Sequence, residues 1–142
     1  MVRPRRGAPL SPEPRADDPA PGIEFDPRRH LSPYRLFRWF REGRPLTLLD
    51  LRPAPVTLTF AGAQPYRGPQ DLPAIGLATG GPAIVLFDHD GARAAAALEE
   101  LPAELRPTAR MLFGGIELYE YCLDPAVVGG ERYLRASAEL GD

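Results

Sequence analysis

One stretch constrains the fold of this chain more than any other: residues 84–98, where an apolar run, a short polar loop and an alanine-rich segment follow without a break. Pro82-Ala83-Ile84-Val85-Leu86-Phe87 has no polar alternation, so it reads as a strand buried on both faces. Residues 92–101 are strong helix formers, and Pro102 stops them. A buried strand that feeds a helix through so short a loop predicts an α/β domain with a mainly parallel sheet. In such sheets the working site lies beyond the carboxyl ends of the strands. The loop Asp88-His89-Asp90-Gly91-Ala92-Arg93 occupies that place. Backbone N–H groups of the helix's first turn point into it, and the helix dipole adds partial positive charge. It is therefore a cradle for an anion unless the chain fills it.

Two further strands fit the same scheme. Leu46-Thr47-Leu48-Leu49-Asp50-Leu51 is a short apolar run bounded by turn residues, and Arg110-Met111-Leu112-Phe113 is another. Ser32-Pro33 reads as an N-cap with proline at the first helical position, and Gly43 ends that helix. Leu36, Phe37 and Phe40 share its apolar face, while Arg35, Arg38 and Glu42 lie opposite. Residues 23–25 read as extended, and 56–60 as a half-buried strand. A short helix falls near 72–78, an aromatic helix over 116–123 after Gly114-Gly115, and a last helix over 131–140. The predicted organisation is a disordered tail rich in Pro and Arg over 1–22, one domain over 23–125, and a C-terminal helical extension over 126–142.

Composition narrows the chemistry. The basic residues are all arginine, so neither a Schiff-base lysine nor a phosphate-loop lysine exists. The absence of lysine, with many Pro, Ala and Gly, is what a GC-rich bacterial genome encodes. A single cysteine, Cys122, excludes an internal disulfide and a cysteine metal site. No apolar run approaches membrane-spanning length, and Arg5-Arg6 lacks the apolar region that a twin-arginine signal needs. A cytoplasmic protein without a membrane partner is the expectation.

The ordered motifs resemble the rhodanese-like family. That family's loop follows the pattern Cys-x-x-Gly-x-Arg between a core strand and a helix; Gly91 and Arg93 match, and Asp88 stands at the cysteine position. Leu49-Asp50-Leu51-Arg52 is similar to the family's strand end, Ser32-Pro33 to its usual start, and Leu112-Phe113-Gly114-Gly115-Ile116 to its closing strand and helix. The resemblance spans residues 23–123. One departure is Gly62-Ala63-Gln64-Pro65-Tyr66-Arg67, which lacks the histidine and second glycine common there.

The resemblance implies a rhodanese-like fold and a catalytically degenerate member, since the family's loop cysteine carries sulfur as a persulfide and an aspartate cannot. Relatives without the cysteine are generally regarded as interaction modules. The expected roles are structural. Asp88 and Asp90 accept loop hydrogen bonds and cap the helix, Gly91 permits the turn, Arg93 pairs with one of the two acids, and Asp50 with Arg52 forms an ion pair or loop clamp. No catalytic residue, metal or cofactor is expected. The alternative is an enzyme that uses Cys122 as a displaced nucleophile, or a metal held by Asp88, His89 and Asp90. Charge predicts a two-sided surface: arginines dominate residues 28–44, and acids dominate 88–104. An acidic protein partner docking on Arg35, Arg38 and Arg41 fits this, as does self-association; nucleic acid does not, because the whole chain is slightly acidic.

Overall fold

The computed structural model describes residues 24–77, 80–123, 125–128 and 131–136. The tail expected over 1–22 lies outside them. In chain order the elements are β1 (His30–Leu31), α1 (Pro33–Arg41), β2 (Leu46–Asp50), β3 (Leu58–Phe60), β4 (Gln64–Pro65), α2 (Leu72–Ile75), β5 (Ala83–Phe87), α3 (Ala92–Glu100), β6 (Ala109–Leu112), α4 (Gly115–Cys122), α5 (Pro125–Val128) and β7 (Leu134–Ala136). Short 3-10 turns precede α2 and β6.

Five strands form one sheet in the order β1-β6-β5-β2-β4, and every pairing is parallel. The run that dominates the sequence, β5, lies at the centre, with Leu46–Asp50 in register against Ala83–Phe87 on one side and Ile84–Leu86 against Ala109–Met111 on the other. Its pleat sends Val85 and Phe87 into one core and Ile84 and Leu86 into a second. The first core lies under α1 and α4 and holds Leu36, Phe37, Leu112, Ile116 and Tyr119. Phe60 packs edge-on against both Phe87 and Tyr119 there, at centroid distances of 4.9 and 4.8 Å. The second lies under α3 and holds Leu49, Tyr66, Ala94, Ala97, Leu98 and Met111. Both faces of the sheet are covered, as a parallel sheet requires.

The two edge strands have only two residues each. Pro65 has no N–H to give, and an edge is where a strand tolerates it. On the other edge His30 accepts the Asp26 N–H at Nδ1, 2.8 Å away. Burial is the main cause that lowers the His30 pKa below 6.5; Asp26 raises it and Arg29 lowers it further. α1 starts as the sequence predicts: Ser32 Oγ accepts the Arg35 N–H at 3.2 Å, and Pro33 opens the first turn.

Glu24 and Phe25 belong to no regular element, and Ile23 lies outside the described residues. One expectation needs correction. The helix expected over 131–140 is absent from the part that is described. Instead Leu134–Ala136 pairs antiparallel with β3, with Phe60 opposite Leu134. Tyr133 has a φ of 66°, which no helix can pass through. Its ring stacks on Phe40 at 5.0 Å and meets Phe37 edge-on at 5.7 Å. The aromatic cluster over the first core therefore overrides the local preference. Residues 137–142 lie outside the described ones.

Candidate functional site

The parallel sheet brings the loops after β2, β5 and β6 to one end of the molecule, where Asp88 follows directly on β5. The residue is 3% exposed. One carboxylate oxygen accepts the Gly91 N–H at 2.6 Å, and the other accepts the Arg93 N–H at 2.8 Å. Asp90 takes the N–H between them, from Ala92, at 3.0 Å. The first turn of a helix has no internal partners for its N–H groups. Here the chain's own carboxylates answer three consecutive ones, and the cradle is filled.

The loop is held from behind as well. The carbonyls of Asp88 and His89 accept the N–H groups of Ile116 and Glu117 at 3.0 and 3.1 Å, so the loop lies against the first turn of α4. Gly115 makes this possible. A Cβ there would stand 2.3 Å from the His89 carbonyl oxygen, and the residue has a φ of 70°. Gly91, at φ 101°, is less crowded but close to the same place: a Cβ would meet the flexible end of Met111 at 3.0 Å and the Gly114 backbone nitrogen at 3.4 Å. The double glycine and the loop glycine are thus parts of one contact.

Asp50 and Arg52 form the neighbouring wall. Arg52 donates Nε and Nη2 to the two oxygens of Asp50 at 3.0 and 2.8 Å, a forked pair, and its own N–H adds a third bond. Thr59 Oγ1 donates to the same carboxylate at 3.2 Å, and Arg52 Nη2 reaches the Leu58 carbonyl at 2.7 Å. The pair therefore clamps the end of β2 to the start of β3. Thr59 and the Leu58 carbonyl belong to this clamp and carry no signal in the sequence, because nothing local shows that β3 folds back on β2. A cleft of about 290 Å³ lies between Arg52-Pro53 and the loop.

The remaining residues diverge. His89 is exposed and faces Glu117, with Nε2 3.3 Å from the carboxylate. The Arg93 side chain differs from expectation: among the described residues its guanidinium pairs with neither Asp88 nor Asp90. The Asp88 carboxylate is met instead by the Gly91 and Arg93 backbone N–H groups, and that of Asp90 by the Ala92 N–H. Cys122 is half-buried and packs against the core under α1 and α4. Among the described residues no three His, Cys, Asp or Glu side chains come together as a cation site. Asp88, His89 and Asp90 are each engaged separately.

The architecture is that of rhodanese-like domains: a small parallel sheet, helices on both faces, and a strand–loop–helix cradle at its carboxyl end. Among solved structures, the chain is similar to Saccharomyces cerevisiae Ygr203w, described as a homolog of single-domain rhodanese and of the Cdc25 phosphatase catalytic domain, at TM-score 0.55 and 19% identity over 75% of this chain and 86% of that one. A rhodanese-related protein of Thermoplasma volcanium matches at TM-score 0.50 and 21% identity over 64% and 89%. A Bacillus halodurans protein matches at TM-score 0.51 and 19% identity over 66% and 72%. No protein-family model matches the chain, and no curated protein matches it by sequence. At these identities the likeness establishes the rhodanese fold.

Proposed function

We propose that this chain is a non-catalytic rhodanese-like domain that acts as a protein-interaction or regulatory module in the cytoplasm. One observation carries the reading: the Asp88 carboxylate takes two N–H groups of the cradle at 2.6 and 2.8 Å. Sulfur transfer through such a loop requires a thiolate that becomes a persulfide, with the N–H groups free to stabilise negative sulfur. Here the position holds a carboxylate and those groups are spent. A thiosulfate or phosphate ester approaching the loop also meets the charge of Asp90.

The working part is then the surface. Arg35, Arg38 and Arg41 are exposed on α1, and this row suits an acidic protein partner. Opposite charge there raises the encounter rate and fixes orientation more than it adds affinity.

The test is sulfur transfer from thiosulfate to cyanide, run beside hydrolysis of p-nitrophenyl phosphate, with heat-denatured protein as control. Neither reaction should exceed the control. Turnover that survives Cys122→Ser would show that the loop itself is active. Turnover lost in Cys122→Ser would assign the chemistry to that displaced thiol. Either result overturns the non-catalytic reading.

A further inference from the structure

One side of the first core is closed by the chain's own last described strand. Residues 131–136 lie against α1 and β3 as a strap, and every residue from Arg132 to Ala136 is half-buried. The strap makes three kinds of contact. Leu134–Ala136 pairs antiparallel with Leu58–Phe60. The Tyr133 carbonyl accepts the Ala61 N–H at 3.2 Å, and the Arg132 carbonyl accepts the hydroxyl of the fully buried Tyr119 at 2.8 Å. The Tyr133 ring fills an aromatic slot, stacked on Phe40 at 5.0 Å and edge-on to Phe37 at 5.7 Å.

An extended peptide adds to a sheet edge through the same kinds of contact: main-chain hydrogen bonds hold it, and a side-chain slot selects it. The demands come from the body of the domain. Burial pushes the Tyr119 pKa up, so the phenol stays a neutral donor that needs a carbonyl. The slot needs an aromatic ring, since Phe40 is only half-buried even with Tyr133 upon it.

The strap meets these demands with a defect. Tyr133 has a φ of 66°, which a bulky side chain adopts only under strain. The pairing with β3 is three residues long. The strap's acid, Glu131, is taken up by Arg135. Arg41 lies over the Phe37 ring, 5.6 Å from its centroid, so the slot borders the arginine row of α1.

We propose that this slot is a strand-binding site held by the chain's own residues 131–136, and that an acidic partner strand with one aromatic residue displaces them, pairs with β3 and sets its acids beside Arg41. The inference rests on the interaction-module reading and adds the partner's chemistry and the regulation of its docking. The partner offers what the strap lacks, an unstrained backbone and carboxylates for α1.

The test titrates the nitrogen-15-labelled full chain with the synthetic peptide Glu-Glu-Tyr-Leu-Glu-Ala, which keeps the strap's order with glutamate for its two arginines. A second peptide, Glu-Glu-Ser-Leu-Glu-Ala, lacks the ring. The first should give saturable amide shifts at residues 37–41, 58–61 and 131–136 together, and the second should bind at least about tenfold more weakly. Tyr133→Ser empties the slot of its ring, so the first peptide should bind this variant about tenfold more tightly than the wild type. Hydrogen exchange of the wild type needs no variant: the Ala61 amide should be at least about tenfold less protected than the amides of β5, through local opening of the strap. Equal protection of Ala61 and β5 overturns the proposal, and so does a folded Tyr133→Ser that binds the first peptide no better than the wild type. Shifts confined to α1 and indifferent to the ring remove the strand site but leave the interaction module standing. Dimerisation of the wild type through residues 58–61 and 131–136 would assign the slot to a second copy and overturn the partner reading.

Discussion

Asp88 lies buried at the head of the β5–α3 loop, and its environment makes a measurable demand. A buried carboxylate is tolerated here because two N–H groups at a helix N-terminus meet it. Asp88→Ala should cost about 2–3 kcal/mol in urea unfolding, since two charge-assisted hydrogen bonds go and two donors lose their partner. It should also reopen the cradle. Sulfate ought then to restore more stability to Asp88→Ala than it adds to the wild type, where it acts only through general exclusion from the surface. Equal responses to sulfate would mean that the cradle stays closed without Asp88. The Arg93 side chain shows why residue-level pairing is hard to read. Neighbours in sequence offered it two carboxylates, but both turn toward the backbone.

At the scale of elements, the contact between the β5–α3 loop and α4 holds the site together. Gly115→Ala should destabilise the protein by more than about 2 kcal/mol, because the left-handed backbone alone costs about 1–2 kcal/mol and the new Cβ meets the His89 carbonyl. Gly43→Ala provides the control. Its φ of 71° is nearly the same, yet nothing lies within 4 Å of the added carbon, so it should cost only the backbone share. Thermal unfolding of both variants measures the difference. Similar losses would show that the close approach at Gly115 relaxes freely. β7 teaches the opposite lesson about local pattern. Glu131 and Arg135 have the spacing of a helical ion pair, and they do pair, at 2.8 Å, which with the Tyr133 N–H brings the Glu131 pKa down to about 2. The chain between them is not helical, because Tyr133 turns into the aromatic cluster.

For the molecule as a whole, the sheet separates the charges. α1 and α4 cover one face and α3 covers the other, so the arginine row and the acids of α3 point to opposite sides. The acidic side is weaker than the count of carboxylates predicts. Asp88 is spent on the backbone, and Glu99 pairs with Arg29. The joint replacement Arg35→Glu, Arg38→Glu and Arg41→Glu should therefore abolish binding of a labelled polyglutamate peptide, while the wild type binds it and releases it as salt rises. Fluorescence anisotropy at low and high ionic strength reads this directly. Equal binding by both proteins would remove α1 as the docking face.

The central strands were legible in the sequence because a strand buried on both faces must be apolar along its length, as in Ala83–Phe87 and Leu46–Asp50. The helix at Pro33 was legible because its cap is local chemistry. The anion cradle, and the acid that stands in it, could be read for the same reason: a short loop between strand and helix leaves few places for its atoms. Other features came only with the tertiary structure. The two-residue edges at His30–Leu31 and Gln64–Pro65 exist because a neighbouring strand offers free hydrogen-bonding groups. The Thr59 arm of the Asp50 clamp, the glycine contact at His89 and the aromatic cluster around Tyr133 join residues from separate segments. What the sequence determined by itself was whatever depends on neighbours along the chain: the strand, the turn, the cap and the acid at the head of the loop. What only the tertiary structure decided was which of the chain's charges would be spent inside and which left free, because that depends on distances across the fold.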